Sequence, residues 1–196
     1  MKFFSIRAFF AAMSLIYIFA DYVPAHAATT CLFIKKSTAW TLTNDCTTDE
    51  TIVIPNGVAL FGGGYTITAI DPPGSNFKGP VLLAAPGTRN VTINKTRLVA
   101  NLQDVCNSDP DKVVGILFDN APGTVADSFV SINKGPASTC AEGVGIQLQK
   151  LPFVPGAVLR KVTIKNGLFK ANQRAAILAL GNINARIENN EINGIG

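Results

Sequence analysis

The sequence predicts an all-β chain wound as a parallel solenoid, a β-helix of about five coils with a disulfide-tied cap at its N-terminal end. Three observations lead there. The segment Val114-Gly115-Ile116-Leu117-Phe118-Asp119-Asn120 recurs as Val144-Gly145-Ile146-Gln147-Leu148-Gln149-Lys150, and more loosely as Ala175-Ala176-Ile177-Leu178-Ala179-Leu180-Gly181, at intervals of about thirty residues. Each copy is followed by a second short run rich in Val, Ile and Thr. Asn, Gly and Pro fill the joints, and no long helical period survives beyond the first segment. A β-sandwich also supplies short alternating strands, but it gives no reason for a self-match at this spacing with glycines aligned at Gly115 and Gly145.

Residues 1–27 read as an export leader. Lys2 and Arg7 precede the apolar run 8–20, and Ala25-His26-Ala27 offers the small-x-small pattern at which a signal peptidase cuts. The run is shorter than the roughly 20 residues a bilayer span needs and ends at Asp21, so no transmembrane anchor is expected. The protein is therefore expected in the periplasm, on the cell surface or outside the cell. Residues 28–50 form the expected cap segment. All four cysteines, Cys31, Cys46, Cys106 and Cys140, lie beyond the leader, where an oxidising compartment favours disulfides. Three pairings are open; Cys31 with Cys46 and Cys106 with Cys140 is preferred because each pair brackets a polar, loop-like stretch. No CxxC spacing supports zinc.

Residues 51–196 carry the repeats, which start near positions 51, 81, 114, 144 and 175. In the strands that follow each start, Val130/Ile132, Val162/Ile164 and Ala185/Ile187 alternate with Ser131, Thr163 and Arg186, which places the first set inside. Stacking at about 4.8 Å per coil then predicts an inner ladder of Ile93, Ile132, Ile164 and Ile187. Asn94, Asn133, Asn166 and Asn189 fall at or beside the following corner, where stacked amides hydrogen-bond along the axis. The last copy ends in register at Gly196, so the expectation is a truncated solenoid, an edge that pairs with a partner, or closure by another element.

These residues resemble secreted bacterial proteins with right-handed parallel β-helix repeats of the pectate-lyase-like fold. The likeness is carried by Cys31, the segment Trp40-Thr41-Leu42-Thr43-Asn44-Asp45-Cys46, Ile52-Val53-Ile54 with Val58-Ala59-Leu60, Gly64-Tyr65-Thr66-Ile67, and the I-x-N-N-x-I pattern at Ile187-Glu188-Asn189-Asn190-Glu191-Ile192. It covers most of residues 31–196. The resemblance implies the right-handed fold and is weak for function, since such folds host lyases, hydrolases, epimerases and inert scaffolds.

Several chemistries are excluded by composition. The only histidine, His26, lies in the leader, so the exported part has no means of building a Ser-His-Asp or Cys-His triad or a histidine-ligated metal site. Hydrophobic residues at 47% and charged residues at 15% exclude a chain disordered by charge. A net charge of +4, together with export, argues against nucleic acid as a partner.

Acids and bases are segregated along the repeats. Asp104, Asp109, Asp111, Asp119 and Asp127 come first, and the stretch 150–186 then carries Lys150, Arg160, Lys161, Lys165, Lys170, Arg174 and Arg186 without an acid. In enzymes of the resembling fold, carboxylates hold calcium against a uronate while a Lys or Arg withdraws a proton. The candidate calcium ligands here are Asp104, Asp109 and Asp111, in and beside the Cys106 to Cys140 loop, calcium being a hard cation that takes about six to eight oxygens. Asp109-Pro110-Asp111 lacks the histidine of the DPHD-type motif, however, and the polygalacturonase motif set is missing, which leaves a solvated loop as the competing reading.

Arg160, Lys161, Lys165 and Arg174 are the candidate ligand-binding residues, because cations about 5 Å apart on stacked strands form a track for the carboxylates or sulfates of a glycan. Trp40 is expected to close the first coil rather than to stack on sugar, and Gly62-Gly63-Gly64 reads as a tight corner. The expected function is non-catalytic binding of an extracellular or surface polysaccharide. The alternatives are a calcium-dependent polysaccharide lyase, with Arg160, Lys161 or Arg174 as proton acceptor, and a structural solenoid that self-associates through its C-terminal edge.

Overall fold

The computed structural model describes residues 29–103, 112–133, 143–152, 155, 158, 160–172 and 174–194. The expected leader over 1–27 and the Cys106 to Cys140 pair lie outside the described residues. Within them the chain is all-β, with three sheets and no helix.

Sheet I is built from β4 (Ile52–Ile54), β7 (Pro80–Ala84), β10 (Val114–Asp119), β13 (Val144–Lys150) and β16 (Ala175–Gly181). Sheet II contains β1 (Phe33–Lys35), β2 (Ala39–Leu42), β5 (Ala59–Phe61), β8 (Val91–Asn94), β11 (Gly123–Ala126), β14 (Arg160–Lys165) and β17 (Ile183–Glu188). Sheet III contains β3 (Cys46–Thr48), β6 (Thr66–Ile70), β9 (Arg97–Asn101), β12 (Phe129–Ser131), β15 (Leu168–Lys170) and β18 (Glu191–Asn193). Apart from the antiparallel β1–β2 pair, every pairing is parallel and joins a strand to the third one after it. Strands that visit three sheets in turn and pair only with their counterparts one round later are consistent with a β-helix-like solenoid.

The repeat found in the sequence is the strand series of sheet I. Val114 pairs with Val144 and Val144 with Ala175, as the self-match requires. Period-two alternation then fills the interior. Ile52, Leu82, Ile116, Ile146 and Ile177 lie in one register, and Ile54, Ala84, Phe118, Leu148 and Ala179 in the next. Across the core, Leu60, Ile93, Val125, Ile164 and Ile187 form the corresponding ladder of sheet II. Phe77, Phe118 and Phe169 are among the largest fully buried side chains, and each such burial stabilises the fold by about 1.5–3 kcal/mol.

Close approach explains the aligned glycines. A Cβ on Gly115 would stand 2.5 Å from the carbonyl oxygen of Gly145, and one on Gly145 2.6 Å from that of Ala176. At the N-terminal end, the single disulfide found among the described residues joins Cys31 to Cys46, as expected. Trp40 is half-buried there, with its ring centroid 5.8 Å from that of Phe33 and the Lys35 ammonium 4.3 Å from its centre.

Two sequence expectations are corrected by register. Ile132 does not join the ladder of Ile93 and Ile164, because the strand paired between β8 and β14 is β11, which contributes Val125. Residues 129–131 belong to sheet III, where Val130 stacks between Leu98 and Phe169. The corner between sheets II and III is likewise occupied by Lys95, Asp127, Asn166 and Asn189, all left-handed with φ of 50°, 50°, 53° and 52°. Asn166 and Asn189 hold that position because Asn tolerates it, whereas Asn94 precedes it and Asn133 follows β12 at another corner. The axial hydrogen bond is present, but it runs from Asn166 Nδ2 to Asp127 Oδ1 at 3.1 Å.

Candidate functional site

The outer face of sheet II is where the basic stretch of the sequence meets the repeat. β14 alternates with Val162 and Ile164 buried, so Lys161, Thr163 and Lys165 point outward. In β17 the register places Asn184 beside Lys161, Arg186 beside Thr163 and Glu188 beside Lys165. Lys161, Thr163, Asn184 and Arg186 surround a shallow hollow of about 280 Å³. Arg186 forms an ion pair with Glu188, and its side chain is 71% exposed, so the guanidinium keeps most of its contact with solvent. Toward the N-terminal end the same face continues through Thr124 and Thr92, which stack in register with Thr163.

This arrangement offers an extended ligand two or three cations within reach of neighbouring strands, with a hydroxyl and a carboxamide between them. Arg presents a fork of donors suited to carboxylate or sulfate oxygens, and Lys a compact charge.

Of the four residues singled out by sequence, the structure brings Lys161 and Lys165 together and separates the others. Arg160 has the parity of the core residues and turns to the corner between sheets I and II, where its Nε donates to Asn120 Oδ1 at 2.9 Å. Arg174 lies immediately before β16, at the corner leading into sheet I, and its backbone N–H donates to the Gly143 carbonyl. Arg186, present in the basic stretch but not chosen, takes their place. Its alternation with Ile187 carried the signal.

The calcium candidates Asp104, Asp109 and Asp111 lie outside the described residues. The two later members of that acidic run sit at different corners: Asp119 ends β10 beside Gln149, while Asp127 occupies the sheet II to sheet III turn. Among the described residues no three His, Cys, Asp or Glu side chains come together.

A groove of about 300 Å³, unmarked by any motif, crosses the outer face of sheet I. Leu117, Leu151 and Leu180 line it with Gln147, Gln149 and Lys112, and Gln147 Nε2 donates to Gln149 Oε1 at 2.7 Å. It arises because residues 117, 147 and 149 are outward positions on successive strands, flanked by the turns that leave the sheet. Comparison with family models, with curated proteins and with solved structures found no match.

Proposed function

We propose that the chain is an exported right-handed parallel β-helix that binds an acidic polysaccharide, at the cell surface or outside the cell, without turning it over. The observation that carries this reading is the set of outward cations Lys161, Lys165 and Arg186 on the paired strands β14 and β17, of which Lys161 and Arg186 line a solvent-open hollow together with Thr163 and Asn184. Export rests on the leader pattern of residues 1–27. The handedness rests on the sequence resemblance and on the general preference of parallel crossovers.

The test is retention of the full chain on immobilised polygalacturonate against an uncharged polysaccharide. Replacing Lys161 and Arg186 together by Gln should weaken retention about tenfold at low salt, the loss of two charge-assisted contacts. Equal retention of both forms overturns the reading. So does ultraviolet-absorbing unsaturated product that accumulates with added calcium, because it makes the protein a lyase.

A further inference from the structure

A further hollow lies away from the basic face of sheet II, at the corner where each coil passes from sheet II to sheet III. In later coils that corner carries a side chain in the left-handed position, from Lys95, Asp127, Asn166 or Asn189. The coil before them turns through Gly62-Gly63-Gly64 instead, with φ of 64° at Gly63 and 88° at Gly64. A Cβ added at Gly64 meets nothing within 4 Å. A hollow of about 520 Å³ is bounded there by Gly64, Lys95, Arg97, Asp127, Phe129 and Leu168. This is inside the range of roughly 300–1,000 Å³ typical of small-molecule sites.

The lining is chemically mixed in a specific way. Arg97 and Phe129 are register partners in β9 and β12, and the guanidinium lies over the ring, 4.5 Å from its centroid. Contact with the ring restricts the guanidinium before any ligand arrives, which lowers the ordering cost of binding. Lys95 supplies a second cation from a turn whose geometry does not depend on its side chain. Asp127 accepts one hydrogen bond from Asn166 Nδ2, and a carboxylate has about four acceptor positions, so it retains capacity for a hydroxyl donor. Phe129 and Leu168 give the hollow an apolar wall.

We infer that this corner is a binding site for a single sugar residue bearing a carboxylate or a sulfate. The anionic group meets Arg97 and Lys95, a ring hydroxyl donates to Asp127, and the C–H face of the ring lies against Phe129 and Leu168. Two cations against one carboxylate favour an anionic over a neutral sugar. The choice of sugar as the ligand class rests on the glycan reading given above, but the site lies on a different face and uses none of the same residues.

The experiment titrates the isotopically labelled full chain with trigalacturonate, with galactose 6-sulfate and with galactose, and follows backbone amide shifts. Saturable shifts at Lys95, Arg97, Asp127 and Phe129 with either anionic sugar, and none with galactose, are expected; which anionic probe acts decides between carboxylate and sulfate. Lys95→Asn, which the left-handed turn accepts, and Arg97→Gln should each weaken that binding about tenfold. Undisturbed corner amides with both anionic probes, shifts confined to residues 161–165 and 184–186, an equal response to galactose, or unchanged affinity in both variants overturns the site. Polygalacturonate retention without corner shifts overturns this site alone, and corner shifts without retention overturn only the sheet II reading.

Discussion

The carboxamide of Asn172 completes the backbone of the coil before it: Ile132 N–H donates to Asn172 Oδ1 at 2.8 Å, and Asn172 Nδ2 donates to the Val130 carbonyl at 3.3 Å. β12 ends at Ser131, so Ile132 enters the turn fully buried with an N–H that no neighbouring strand reaches for. Asn172 is itself only 8% exposed, and water has little access to either partner.

Asn172→Ala should therefore cost about 1–3 kcal/mol, the penalty for stranding a buried donor and acceptor together. Equilibrium unfolding in urea measures it, and amide hydrogen exchange at Ile132 should speed up in the variant. A shift in midpoint within error of the wild type would mean that this corner relaxes to satisfy Ile132 by another route.

The Cys31–Cys46 bridge closes a separation of 15 residues at the N-terminal end, where β1 folds back antiparallel on β2. A loop of that size corresponds to about 3 kcal/mol of lost chain entropy in the unfolded state. Changing both cysteines to Ser should lower stability by about that amount, with the first exchange gains appearing in β1 and β2 rather than in β13 or β16. Uniform loss of protection across all three sheets would instead make the cap the nucleus of the whole stack.

Gly115 and Gly194 make a matched pair for testing how tightly the strands of sheet I are packed. A Cβ at Gly115 would lie 2.5 Å from a backbone oxygen of the next strand, whereas one at Gly194 meets nothing within 4 Å. Gly115→Ala should destabilise by about 1–3 kcal/mol through forced strand separation, and Gly194→Ala should leave the midpoint of thermal unfolding essentially unchanged. Equal effects of the two substitutions would refute the close stacking of β10 on β13.

How much of this was legible in the sequence depends on which residues carried the pattern. β10 and β13 share Val-Gly-Ile at their starts, so sheet I and its spacing could be read directly. β8 and β14 alternate Val and Ile with polar residues, which fixed their inner faces. β11 failed because Gly123-Thr124-Val125-Ala126 carries one large apolar residue, too weak a signal beside the run at 129–132 that displaced it. The basic face was half legible for the same reason. Parity alone puts Lys161 and Lys165 together and turns Arg160 away, but the length of the turn after β15, which sends Arg174 to sheet I, has no periodicity to read. The hollow beside Lys95 was invisible because its lining is drawn from turns and strands far apart in sequence, from Gly63 to Leu168.

Glu188 provides the most direct check on whether the sheet II face acts through its charge. It pairs with Arg186 and stands beside Lys165, so it is the one carboxylate set among the cations of β14 and β17. Arg186 is 71% and Glu188 35% exposed, so the pair is open to solvent and its loss should change stability by less than about 1 kcal/mol. Removing the negative charge in Glu188→Gln should therefore raise retention on polygalacturonate by about two- to tenfold at low ionic strength, opposite in direction to the Lys161 and Arg186 substitutions. The gain should vanish near 1 M salt, where the screening length falls to about 3 Å. If Glu188→Gln instead lowers retention as much as losing Arg186 does, the carboxylate is positioning the guanidinium, and fixed geometry rather than net charge governs binding at this face.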